Sequence, residues 1–111
     1  MADQLPNDSD GDALRRLIAT GSDLSKEMEI DFMVDVPDQD TGLAFATAVG
    51  PLGFRSHVDK DSDTGEWTCY CSRRMVPSYD AIVTVQKTLE DVGRPYNAKP
   101  DGWGSFGNAG D

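Results

Sequence analysis

Four strands and two helices alternating as βαββαβ, with a short helix ahead of them, make an α+β domain the fold class that this sequence predicts. Three observations carry the prediction. Met28, Ile30, Phe32, Val34 and Val36 alternate with Glu29, Asp31, Met33 and Asp35, the period of a strand with one apolar face. Two segments, 38–52 and 77–92, carry apolar residues at helical spacing. Between them a turn rich in Asp and Gly, Asp61-Ser62-Asp63-Thr64-Gly65, joins two further strand patterns.

The elements follow in chain order. Residues 1–10 are polar and Asp-rich with no apolar period, and are read as a disordered acidic tail. Asp12 is placed to cap a helix over residues 13–20, with Leu14, Leu17 and Ile18 as its apolar stripe and Gly21 as its stop. Residues 22–25 form a turn. The strand of residues 28–36 is stopped by Pro37, and Asp38 opens a helix with Leu43, Phe45, Ala46, Val49 and Leu52 as its apolar positions. Gly50-Pro51 should fray or kink its end.

A second strand over residues 54–60 places Phe54, Ser56 and Val58 on one face. A third, over residues 67–75, puts Trp67, Cys69 and Cys71 on one face and Thr68, Tyr70 and Ser72 on the other. Pro77 suits the first turn of a helix, near its N1 position. That helix runs to about Val92 on Ile82, Val85, Leu89 and Val92, and Gly93 ends it. A last strand is expected near residues 96–98 or slightly later.

Two βαβ units joined by a hairpin define the ferredoxin-like split topology: a four-stranded antiparallel sheet with both helices on one face. The first strand is then central. The extra N-terminal helix must bury its stripe at the sheet edge or on the open face. The expected organisation is a tail over 1–10, one domain over 11–106 and a flexible end over 107–111.

Charge narrows the function classes. The chain has 111 residues, 20 of them Asp or Glu against 10 Lys or Arg, for a net charge of −10. Direct nucleic-acid binding through phosphate neutralisation needs clustered Lys and Arg, which the sequence lacks. An anionic membrane surface is disfavoured for the same reason, and no apolar run approaches the roughly 18 residues of a span. A basic protein partner fits the balance. Sixteen of the 20 acids are Asp, a residue of turns and caps, so much of the charge belongs to loops. The N-terminus has neither a basic nor an apolar stretch of a signal peptide, and Cys69 and Cys71 would be strained as a disulfide within one strand. Both readings point to reduced thiols and a cytoplasmic protein.

Each piece of candidate chemistry meets a plainer alternative. The single histidine, His57, lies on the outward face of the second strand beside Arg55 and Asp59, with no triad pattern around it. Residues 59–66 carry acids at calcium-loop positions 1, 3 and 5, but Thr64 stands where the loop needs Gly, and Tyr70 where it needs Glu. A hairpin turn explains them better. Two cysteines and one histidine do not complete a zinc site, so no metal and no cofactor are expected. Glu29, Asp31 and Asp35 share a strand face without a pocket signature and read as a partner-facing surface rather than catalytic acids. Trp103, bracketed by Gly102 and Gly104, offers a large apolar area that either plugs the end of the core or anchors a partner. The predicted partner-binding residues are therefore Glu29, Asp31, Asp35 and Trp103.

Taken together, the alternating first strand, the helix ending in Leu52-Gly53-Phe54, the hairpin, the helix after Pro77 and the closing Asp101-Gly102-Trp103-Gly104-Ser105-Phe106 resemble a bacterial family, the regulators of ribonuclease activity B. The resemblance covers roughly residues 24–106, with Asp101, Gly102, Trp103 and Gly104 as its signature. It implies a ferredoxin-like domain, not an enzyme, that binds ribonuclease E or a related RNA-degrading assembly and reduces RNA cleavage. One spacing departs: the family's Tyr precedes the signature directly, whereas Tyr96 here is four residues removed from Asp101. Other classes weighed on the residues alone are a small-molecule-sensing module and a toxin-neutralising immunity protein.

Overall fold

The computed structural model describes residues 5–109. Its elements are α1 (Ser9–Ala19), β1 (Met28–Val36), α2 (Gln39–Val49), β2 (Arg55–Lys60), β3 (Trp67–Met75), α3 (Tyr79–Gly93) and β4 (Lys99–Gly104). Short 3₁₀ turns follow α2 and α3. The four strands form one antiparallel sheet in the order β2-β3-β1-β4, the ferredoxin-like arrangement expected. β1 is central because it pairs with β3 on one side and with β4, the strand the second crossover delivers, on the other.

The alternation along β1 decides which way the sheet faces. Met28, Ile30, Phe32, Val34 and Val36 are buried on one side, under α2 and α3. Phe45 and Val49 of α2 and Ile82, Val85 and Leu89 of α3 close over them in one continuous core. At about 25 cal/mol per Å² of apolar area, this face supplies most of the folding drive. Gly42 permits the close seat of α2: a Cβ there would stand 3.0 Å from side-chain carbons of Val36 and Val58. Cys69 and Cys71 also point into this core, as free thiols with sulfurs 3.8 Å apart.

Several expectations are corrected. α1 begins at Ser9, not at residue 13, and Asp8, not Asp12, caps it by accepting from the Gly11 N–H at 2.8 Å. Asp8 also accepts from the Tyr79 hydroxyl (2.5 Å) and Asp10 from Gln86 Nε2 (3.1 Å), so both acids are tied to α3. Of the tail expected over 1–10, residues 1–4 lie outside the described residues. Of the flexible end expected over 107–111, residues 110 and 111 do. Asn108 is buried, accepting from Asp23 N–H at 2.7 Å and donating to its carbonyl at 2.8 Å.

In α2, Leu43 and Leu52 are exposed. Leu43 lies across the helix from Phe45, and the 3₁₀ turn rotates Leu52 outward. Pro77 precedes the cap rather than sitting at N1: Ser78 is the N-cap, its hydroxyl accepting from Ala81 N–H at 3.1 Å. The last strand runs over 99–104, after a 3₁₀ turn that occupies the expected start. α1 takes the β4 edge on the helix-covered side, with Leu14 fully buried.

Candidate functional site: the uncovered sheet face

The residues that alternate with the core point to the other side, where no helix packs among the described residues. The strand register sets them in rows. Asp31, Ser72 and Arg55 make one row, Met33, Tyr70 and His57 the next, and Asp35, Thr68 and Asp59 a third. Glu29 and Arg74 lie beyond the first row, while Lys99 stands opposite Asp35 on β4.

Charge on this face is mixed at one end and acidic at the other. Glu29 pairs with Arg55, and Arg74 with Glu27 at 3.7 Å. Asp31 accepts from the Ser72 hydroxyl at 2.5 Å. Toward the hairpin the balance shifts. Although Asp35 is exposed, partial desolvation against the sheet, with the charges of Asp101 and Glu66 added, raises its carboxyl above its ordinary value. None of these three carboxylates has an ion pair among the described residues. The fold leaves that negative charge uncompensated.

The middle row is aromatic. His57 and Tyr70 stack with centroids 4.8 Å apart and planes 14° from parallel, and Met33 flanks Tyr70 on the next strand. From the sequence alone His57 has only Arg55 and Asp59 as neighbours on its strand face. Counting residues back from the hairpin turn sets it opposite Tyr70, which is the signal for the pair.

Trp103 does not join this surface. It pairs with Phe32 across β1 and β4, so it faces the covered side, half-buried against the core. Its indole N–H donates to Asp10 Oδ1 at 2.9 Å. The register slips between Phe32 and Val34, and Gly102 sits at φ +107°, a conformation that costs a residue with a Cβ. The Asp-Gly-Trp-Gly signature thus makes a bulge that turns Trp103 under α1. Of the four predicted partner-binding residues, Glu29, Asp31 and Asp35 share the open face and Trp103 lies on the opposite one.

The remaining candidates are structural in their contacts. The Asp61 carboxylate accepts from the backbone N–H groups of Asp63 (2.8 Å) and Thr64 (3.3 Å), which builds the hairpin turn. The neighbouring Cys71 thiol and burial push the Cys69 thiol above its ordinary value, and both sulfurs lie buried in the core. Among the described residues no helix is long and apolar enough to cross a membrane.

Fold and face together define a small α+β domain of the ferredoxin-like class, with one side closed by helices and the other an open, acid-bearing sheet. Over residues 7–105 the chain matches the family model described as Regulator of ribonuclease activity B, and it belongs to that family. Comparison with curated proteins gives no match.

Proposed function

We propose that this protein regulates an RNA-degrading enzyme, ribonuclease E or a related one, by direct protein–protein contact in the bacterial cytoplasm. It acts without catalysis of its own and without touching RNA. The observation that carries the reading is the open face. It is built on the two central strands and carries Asp35, an exposed carboxylate without an ion pair among the described residues. Family membership supports the regulatory role, and the charge supports a basic segment of the enzyme as the contact. Glu29, Asp31 and Asp35 are the residues assigned to it.

Contacts of this kind gain on-rate from long-range attraction and lose it as salt screens the charges. The test is cleavage of a structured RNA by ribonuclease E of the same host, with and without the full chain, at two salt concentrations. Slower cleavage at low salt, relieved at high salt and in the triple variant E29Q/D31N/D35N, is expected. A chain that neither binds the enzyme nor slows it at low salt sinks the reading.

A further inference from the structure

We infer that the centre of the open face is the Met33–Tyr70–His57 row, and that it receives a planar cation, an arginine side chain of the partner. The inference rests on the reading of this face as the docking surface, and it adds the chemistry that is recognised there.

The row is a built feature. Met33 and His57 are the cross-strand neighbours of Tyr70 on its two sides, so three side chains stand abreast over three strands. The two rings are already stacked, which removes much of the ordering cost of using them. They contribute nothing to the core, whose residues all lie on the other side of the sheet. Aromatic groups at the middle of a polar patch are where binding energy concentrates at interfaces.

The flanking rows choose the ligand. Asp31 stands on one side, and Asp35 and Asp59 on the other, each one step along its strand from the aromatic row. Arg55, in the next row on β2, is already held by Glu29. The two rings cover each other's inner faces, so a group that sits here extends the stack from the outer face of His57 on the edge strand β2; it must be cationic to suit the carboxylates and flat to lie there. A guanidinium is both. It stacks on ring faces and offers paired N–H donors to a carboxylate, whereas an ammonium is compact and strongly hydrated. A nucleobase is also flat, but its phosphates would meet three carboxylates on a chain of charge −10.

The experiment measures binding of labelled nona-arginine and nona-lysine to the full chain by fluorescence anisotropy. The peptides carry equal charge, so their ratio isolates the planar contribution. Wild type should prefer nona-arginine about tenfold, the size expected of a partly desolvated cation–ring contact. Tyr70→Leu should bring the ratio close to one, and Tyr70→Phe should keep it. D31N/D35N/D59N should weaken both peptides together. Unfolding curves of each variant establish that the sheet is intact, and the Phe variant separates ring from fold.

Equal affinity of wild type for the two peptides overturns the inference. So does an unchanged ratio in Tyr70→Leu, or a single-stranded RNA oligonucleotide that displaces nona-arginine in a Tyr70-dependent way. The same variants in the cleavage assay keep the two readings apart. Regulation that survives Tyr70→Leu defeats this inference and leaves the proposed function standing. A Tyr70-dependent arginine preference in a chain that ignores the ribonuclease does the reverse.

Discussion

The two faces of this sheet are made by the same four strands and differ in nearly every physical respect. The covered face is uniform: apolar side chains locked under α2 and α3, where each removed methylene is felt as lost transfer energy and as a cavity. The open face is heterogeneous. Its aromatic pair and carboxylates contribute little to the core, and at Asp35 the surroundings mildly disfavour the charged form. Side chains that cost stability or do little for it are free to be chosen for binding. The contrast separates positions that build this protein from positions available to act.

Substitutions can break or sharpen that contrast. The largest expected effect is on the covered face. Phe45 is fully buried and makes an edge contact with Tyr96, with centroids 6.1 Å apart. Phe45→Ala should cost about 3–5 kcal/mol, a large share of the total stability of a domain this size. Urea unfolding measures it, and a loss near zero would remove the claim that this face drives folding. Tyr70→Leu in the same assay should stay within about 1 kcal/mol of wild type.

A middle-sized effect is expected where α1 joins the covered side. Asp10→Ala leaves the Trp103 indole N–H and the Gln86 amide without their acceptor. Leaving these part-buried donors unpaired should cost about 1 kcal/mol. The urea midpoint reads this out, and the arginine-peptide affinity should stay at the wild-type value. If Asp10→Ala weakens peptide binding, the two faces are coupled and the contrast is wrong.

The smallest effects come from charge, and they have opposite signs. The Asp38 carboxyl accepts from the Thr41 backbone N–H and lies below the ordinary value of 3.8; Asp8, which accepts from the Tyr79 hydroxyl, does the same. Their contribution is complete above the ordinary carboxylate range and is lost as pH falls through the lowered values. Asp35 runs the other way. Its raised value means that the folded state takes up the proton more readily than the unfolded chain. Its penalty is present at neutral pH and disappears as pH falls toward the ordinary range.

Asp35→Asn should therefore raise the neutral-pH Tm slightly, an effect kept small because the exposed carboxyl is screened by solvent. The difference between variant and wild type should vanish at the acid end. It should also weaken docking, so stability and binding move in opposite directions. A variant less stable than wild type at neutral pH would show that Asp35 serves the fold.

Much of this architecture was legible in the sequence, and unevenly so. β1 and β3 lie where their alternation places them, because a half-buried strand must repeat every two residues whatever surrounds it. The hairpin was legible from its turn residues for a similarly local reason. The start of α1 was not. Asp8 and Asp12 are both competent caps, and the choice between them rests on Tyr79, Gln86 and Trp103, which lie 70 or more residues away. β4 was placed only loosely, near residues 96–98 or slightly later, because its glycines carry no periodic signal and its pairing with β1 through a bulge decides its position. The acids of the candidate site were found because they share β1. Its aromatic centre was missed because it is shared between β2 and β3.

By itself the sequence determined the fold class, the apolar side of β1 and the acidic balance, since each depends on composition or on a period of a few residues. Only the tertiary structure decided that Trp103 belongs under α1, that α1 leaves the other face open and that His57 stands against Tyr70. Those three facts are contacts between segments far apart in the chain. Local periodicity says which side of an element is apolar. It does not say which other element will cover that side, because that depends on strand order and register, and these are settled when the whole core packs.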